Sequence, residues 1–220
     1  MSRIVIKLGG AVARDSATHV LTLVAEGHEC IVVHGAGPQI TSEMERHGLA
    51  VEFVRGRRVT SAEALEVVRE SLLAVNSALC SALGARAVGL AGDEIGLQAV
   101  QASDLGLVGD PVPCAPQAIL DALAAGLIPV VVPLAEGPLN VNADEAAAAL
   151  AVGLGAERIL FVTDVPGVLH GDGVLGRIAA DEADRLLPEL EGGIVPKLQA
   201  AVQAARGGVP AHIGETAVVA

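Results

Sequence analysis

Arg3-Ile-Val-Ile-Lys-Leu-Gly-Gly10 decides how the rest of the chain reads. Ile4, Val5 and Ile6 form a β-branched run without alternation, the pattern of a central strand buried on both faces. Lys7 interrupts that run at its C-terminal end. Two glycines follow, where the backbone can turn sharply or approach a ligand closely. Open α/β sheets bind ligands at the carboxyl ends of their strands, so this lysine stands where chemistry is expected. The chain has fourteen basic residues, and only Lys7 and Lys197 are lysines. Two compact ammonium groups kept among arginines are a candidate pair, because the two side chain types are not equivalent. The bland alternative is a snorkelling strand-end lysine and an unrelated helix-surface lysine.

The totals narrow the function classes. At 220 residues the chain is one large domain or two small ones. Half of it is hydrophobic, yet it has no Trp or Tyr and only two Phe, Phe53 and Phe161, so its core is aliphatic. A formal net charge of −12 disfavours non-specific nucleic-acid binding. It leaves room for an anionic ligand in a locally positive pocket. Cys30, Cys80 and Cys114 are far apart among apolar residues, and read as reduced core residues of a cytoplasmic protein. The six histidines make no metal-ligand spacing. Apolar runs are of strand length and broken by Gly or Pro, so no membrane span is expected. The chain enters its first strand without a leader-like segment.

Strands and helices then alternate, which implies a mainly parallel sheet with helices on both faces. A helix is expected over residues 17–27 and a second strand over 31–33. That strand ends in His34-Gly-Ala-Gly-Pro-Gln39, with a helix over 38–47. Gly35, Ala36 and Gly37 offer backbone amides at a helix start, which suit an anion, although such turns also serve as tight connections. Residues 52–59 read as a small β excursion carrying Arg55, Arg57 and Arg58. Thr60 and Glu63 read as the N-cap and N3 of a capping box, opening a helix to residue 83. Its apolar face, with Leu65, Val68, Leu72, Val75 and Leu79, either meets a second copy or covers the sheet.

A third strand is expected over 87–90, hairpins over 92–114, a helix over 117–125 and a buried strand over 128–132. Two of the chain's three asparagines lie in Asn140-Val-Asn-Ala-Asp144. Asn142 is a good N-cap with Glu145 at N3, and Asp144 suits a helix's first turn. Those three could merely start a helix, whereas Asn140 has no capping role. A strand over 158–162 ends in Thr163-Asp-Val-Pro-Gly-Val-Leu169. A short strand over 175–178 and a helix over 181–187 come next. Gly192-Gly-Ile-Val-Pro-Lys197 opens the last long helix, and places Lys197 where a helix disfavours a cation, so an anionic partner is expected. Residues 211–213 and 217–219 close the sheet.

Several strand ends thus carry polar and glycine signals that a parallel sheet would gather at one edge. Two ammonium groups, a carboxylate, an arginine and bare amides form an inventory for phosphoryl transfer, which needs charge neutralisation and positioning more than covalent help. Walker A and HRD-type loops are absent from the sequence, and no Ser or Cys nucleophile with a base is evident.

Lys7-Leu-Gly-Gly10, His34-Gly-Ala-Gly-Pro38, Gly56-Arg-Arg-Val-Thr60, Asn140-Val-Asn-Ala-Asp144, Thr163-Asp-Val-Pro-Gly-Val168 and Gly192-Gly-Ile-Val-Pro-Lys197 together resemble the motifs of the amino-acid kinase family, in that family's order. The likeness runs from Arg3 to about Ile213. It implies a single domain over 1–220, a carbamate kinase-like three-layer αβα sandwich with a mainly parallel open sheet. It further implies an N-terminal lobe over about 1–155 for an acyl-amino acid and a C-terminal lobe over about 156–220 for nucleotide. The branch resembled phosphorylates the side-chain carboxylate of N-acetyl-L-glutamate with MgATP, in arginine biosynthesis. By that resemblance Lys7 and Lys197 stabilise the transferring phosphoryl group and Asp144 holds them. The amides of Gly10, Gly35, Ala36 and Gly37 receive phosphate and the attacking carboxylate, and Arg58 and Asn140 grip the acylated amino acid. Asp164, Val165, Gly167, Val168, Leu169 and Gly193 cradle the nucleotide. Mg²⁺ would be held mainly by phosphates and water.

Two departures stand out. Ala36 replaces a glycine common in the family's turn. A helix and loop usual before the last strand are missing between Ile213 and Val219, which implies a reduced nucleotide-side wall. The N-terminal helix of arginine-inhibited hexamers is also missing, so a homodimer insensitive to arginine is expected. Two other readings stay open. One is a sibling kinase acting on carrier-protein-linked aminoadipate or glutamate, and the other is a non-catalytic nucleotide or amino-acid sensor.

Overall fold

A computed structural model describes residues 2–9, 13–171 and 173–220, and of residues 13–16 only the backbone. Its centre is an eight-stranded sheet built around β1 (Arg3–Leu8). On one side of β1 lie β2 (Glu29–His34), β8 (Ile128–Val132) and β5 (Ala87–Ala91), all parallel. On the other side come β11 (Arg158–Phe161) and β15 (Ala211–Ile213), also parallel, then β16 (Thr216–Val219) and β14 (Arg177–Ala179). Among the described residues only the β15–β16 pairing in this sheet is antiparallel, because a tight turn at Gly214 reverses the chain.

The alternation of side chains along a strand assigns the two faces. Ile4, Ile6 and Leu8 pack with Val32 and Val130 under α1 (Ala13–Ala25) and α3 (Ala62–Leu83). Val5, Ile31, Val33, Ile159 and Phe161 face the other way, onto α5 (Gln117–Ala124), α6 (Ala143–Gly153) and α8 (Ile194–Arg206). Lys7 shares the parity of Val5, so the strand itself aims it at the α6–α8 layer. These two helices approach closely because they meet through small residues, Ala146, Ala147 and Ala151 on one and Ala200, Ala201 and Ala204 on the other. Burial of apolar surface, at roughly 25 cal/mol per Å², is the main favourable contribution to such a layer.

A four-stranded second sheet lies beside the first, in the order β6 (Ala99–Gln101), β7 (Val108–Pro111), β10 (Leu139–Val141), β9 (Leu134–Ala135). Two hairpins complete the strands, β3 (Phe53–Val54) with β4 (Arg57–Arg58) and β12 (Leu169–His170) with β13 (Gly173–Val174). The remaining α-helices among the described residues are α2 (Gly37–Arg46), the short α4 (Gly92–Ile95) and α7 (Ala180–Leu186), and a 3-10 turn covers Leu187–Glu189.

The expected three-layer α/β architecture is observed, with several local differences. The first helix begins at Ala13, not residue 17, and the stretch 92–114 opens with a helical turn before its hairpin. The N-cap of α3 is Ser61, whose Oγ accepts from the Ala64 amide, and not Thr60. The Thr60 hydroxyl is occupied elsewhere: it donates to the Arg58 carbonyl at 2.7 Å. Asn140 lies in the second sheet instead of ending a strand of the first. The three cysteines are free. Among the described residues, no helix is long and apolar enough to cross a membrane.

Candidate active site

The site begins with a charge triad that three elements bring together. Lys7 lies near the end of β1, Asp144 in the first turn of α6, and Lys197 in the first turn of α8. The Lys7 Nζ lies 2.9 Å from Asp144 Oδ1, and the Lys197 Nζ lies 3.2 Å from that same oxygen. The two ammonium nitrogens are therefore no more than about 6 Å apart, the sum of those contacts. Asp144 is placed there by its own helix start. Asn142 caps α6, its Oδ1 accepting from the Asp144 amide at 2.8 Å and the Glu145 amide at 3.3 Å. The positive end of the helix dipole favours the Asp144 carboxylate, and that carboxylate is the anion Lys197 needs at its own helix start.

One carboxylate facing two ammonium groups leaves a site of net positive charge. Lys7 is only 7% exposed. Burial holds its pKa below the ordinary lysine value; Asp144 opposes that shift and Lys197 adds to it. Such a site is short of one negative charge, and an anion entering it relieves the strain.

Beside the triad is a cavity of about 200 Å³, lined by Lys7, Gly35, Arg58, Asn140 and Asp144, among others. Ala36 and Gly37 also line it, at the start of α2. The Gly35 amide is already used, donating to the Leu8 carbonyl at 3.0 Å, so it does not face a ligand as expected. The Ala36 and Gly37 amides stand at the start of α2, where the first amides of a helix have no partner within it. Arg58 spans the cavity wall. Its Nη2 donates to Thr41 Oγ1 at 2.8 Å and to the Gly37 carbonyl at 3.2 Å, and its guanidinium lies 4.5 Å from the Phe53 ring centre. Asn140 Nδ2 donates to Thr60 Oγ1 at 3.0 Å, which ties the second sheet to the connection between the β3–β4 hairpin and α3.

His34, at the end of β2, is buried behind this wall. Asn76 Nδ2 lies 3.1 Å from His34 Nε2 and also donates to the Val130 carbonyl at 2.9 Å. Burial pushes the His34 pKa down to about 4; the Gly35 carbonyl opposes this and Lys7 reinforces it. A donor aimed at Nε2 suits the neutral ring.

The expected nucleotide residues form a separate group that does not line this cavity. The segment 164–169 follows β11 at the same sheet edge as Lys7, because Lys7 pairs with Phe161 in register. Gly167 and Val168 are packed into the C-terminal strands. The Val168 amide donates to Thr216 Oγ1 at 2.8 Å, and a side chain on Gly167 would collide with that oxygen. Asp164, Val165 and Leu169 are exposed, and Gly193 is the exposed N-cap of α8. Gly10 lies outside the described residues. Sequence reading missed Arg57 and Glu145 as partners: Arg57 Nε and Nη2 donate to Glu145 Oε1 at 3.1 and 3.0 Å.

The sequence profile of the amino acid kinase family matches residues 2–215, and the chain belongs to that family. It is 42% identical to the acetylglutamate kinase of Saccharopolyspora erythraea over 96% of this chain and 78% of that one. It is 41% identical to the acetylglutamate kinase of Nocardioides sp., over 94% and 75% respectively. The first of these alignments runs to 239 positions against a chain of 220 residues, so that relative carries residues with no counterpart here. Among solved structures, smu.665 of Streptococcus mutans UA159 superposes with a TM-score of 0.89 at 28% identity, covering 99% of this chain and 98% of that one.

Proposed function

We propose that this chain transfers the γ-phosphoryl group of ATP to the side-chain carboxylate of N-acetyl-L-glutamate. The products are N-acetyl-L-glutamyl 5-phosphate and ADP, a step of arginine biosynthesis. The observation that carries the proposal is the pair of lysines on one Asp144 oxygen at the edge of a small cavity. The family and its acetylglutamate kinase relatives supply the substrate class.

The geometry answers the chemical difficulty of the reaction. A carboxylate is ionised at pH 7 and attacks phosphorus without a general base. The obstacle is repulsion between that anion and the phosphate. Lys7 and Lys197 neutralise charge developing on the equatorial oxygens, and the Ala36 and Gly37 amides add fixed dipoles. Arg58 and Asn140 orient the acyl-amino acid, with its carboxylate towards Lys7. Asp164, Val165, Gly167, Val168, Leu169 and Gly193 hold the nucleotide. Mg²⁺ would arrive on the ATP phosphates, with water completing its shell.

In this reading residues about 1–155 form the acyl-amino-acid lobe and about 156–220 the nucleotide lobe. The protein works in the cytoplasm as a homodimer; the apolar face of α3 is not the contact, because Leu65, Val68, Leu72 and Leu79 are buried within the chain, over the sheet and against α2. ADP release measured with N-acetyl-L-glutamate, and trapping of the acyl phosphate by hydroxylamine, test the activity. Hydroxamate formed with N-acetyl-L-glutamate and not with aminoadipate supports it. ADP release indifferent to any acyl-amino acid contradicts it.

A further inference from the structure

We infer that Arg57 is a positioning residue that fixes the β3–β4 hairpin over the substrate cavity by clamping it to the helix that carries Asp144. The inference rests on the reading of that cavity as the acyl-amino-acid site.

The hairpin is a two-stranded ribbon that pairs with no other strand. Ribbons of this size are marginal by themselves, so something else must set its height. Its turn places Arg55 and Gly56 at φ 51° and 78°, both left-handed, the shape that closes a two-residue hairpin. Consecutive residues of β4 then point to opposite faces. Arg58 goes inward, to Thr41 and the Gly37 carbonyl. Arg57 goes outward and makes a fork. Its Nε and Nη2 both donate to Glu145 Oε1, and its Nη1 pairs with Asp110 of β7. Three parts of the molecule therefore meet at one guanidinium: the hairpin, the second sheet and α6. Glu145 follows Asp144 directly, so the clamp reaches the residue that holds both lysines.

The clamp is a poor device for stability alone. Glu145 is 6% exposed, and its second oxygen, Oε2, is buried without a hydrogen-bond partner. Burial raises the Glu145 pKa, against the pull of Arg57. Taking such a pair out of water costs about as much as the attraction returns. What the pair does supply is a fixed geometry, two N–H groups of one planar guanidinium converging on a single carboxylate oxygen. The same hairpin also abuts α8, since a side chain at Gly56 would stand 3.5 Å from Pro196, the residue before Lys197. Arg57 lines both the substrate cavity and a larger groove of about 780 Å³ between the hairpin and α8. It forms the wall that keeps Arg58 facing the smaller space.

Arg57→Met and Glu145→Gln test the inference with two readouts. The first is steady-state kinetics. Each variant is expected to raise KM for N-acetyl-L-glutamate about tenfold, with KM for ATP changed less than about twofold. The double variant should be no worse than either single one. The second readout needs no substrate: the Val59 amide, bonded to the Glu52 carbonyl across the hairpin base, should exchange with solvent faster in each variant. Glu145→Gln keeps the side-chain shape and answers the question if Arg57→Met does not fold. Unchanged exchange in a folded variant overturns the clamp, as do equal losses for both substrates or additive effects. Faster exchange in a protein whose wild type ignores N-acetyl-L-glutamate upholds the clamp and sinks the substrate assignment instead.

Discussion

The two halves of the proposed site, one for the acyl-amino acid and one for the nucleotide, are built differently. The acyl-amino-acid side is closed by contacts between distant segments: Asn140 reaches Thr60, Arg58 reaches Thr41, and Arg57 reaches Glu145. Its polar groups are mostly paired before any substrate arrives. The nucleotide side is a loop after β11 whose Val165 and Leu169 lie open, anchored mainly by Gly167 and Val168 against Thr216. The contrast separates two strategies. A small anion that must be oriented to within a fraction of an ångström is met by a pre-arranged cavity. In the proposed function a large nucleotide is laid on an open edge, and its terminal phosphate is met by the lysines.

The contrast predicts where substitutions hurt. Lys7→Met removes one of two ammonium groups from the point of transfer and should lower kcat by about 10²–10³, the loss typical of an electrostatic donor. Thermal stability should hold, because a buried charge is removed while Lys197 still pairs with Asp144. A tenfold loss or less with a matching fall in melting temperature would make Lys7 structural. Asp144→Asn comes next. It leaves two ammonium groups no more than about 6 Å apart with no anion between them, a repulsion of about 3 kcal/mol or more at an effective dielectric near 20. Denaturant unfolding should show a loss of that order, and added phosphate should restore part of it. A variant as stable as wild type would break the triad as described.

His34 offers a test by pH. The unfolded ring titrates near 6.5, and the folded ring is held down to about 4 by burial. Between those values the unfolded chain binds a proton that the folded chain refuses. Stability is therefore full above about pH 6.5 and falls as pH drops towards 4, by about 3 kcal/mol in all. His34→Gln should flatten that slope in unfolding curves taken across the window; an unchanged slope would place the titration elsewhere. The smallest effect is expected on the open side. Leu169→Ala should shift stability by no more than about 0.5 kcal/mol, and raise KM for ATP about threefold with KM for N-acetyl-L-glutamate untouched. A stability loss of several times that size would show the nucleotide side to be as tightly built as the other.

Much of this was legible in the sequence. β-branched runs marked the central strands. Each member of the triad sat at a strand end or a helix start, places that topology brings together, and the unfavourable position of Lys197 at a helix N-terminus called for the anion that Asp144 supplies. What stayed hidden depends on contacts that no local pattern encodes. Thr60 and Ser61 are equally good caps by chemistry; the choice fell to Ser61 because the Thr60 hydroxyl is held by Arg58 and Asn140. The Arg57–Glu145 pair joins residues 88 positions apart, and a run of arginines in a short hairpin reads as solvated until the facing helix is known. The Gly35 amide looked free because the carbonyl that takes it, Leu8, belongs to the neighbouring strand.

The central claim is that Lys7 and Lys197 act together on one phosphoryl group. A crystal structure with N-acetyl-L-glutamate and a non-hydrolysable ATP analogue measures this directly. Both Nζ atoms should stand within hydrogen-bond reach, about 3 Å, of oxygens on the terminal phosphate. If either ammonium remains on Asp144 and beyond contact with that phosphate, the two-lysine account is wrong.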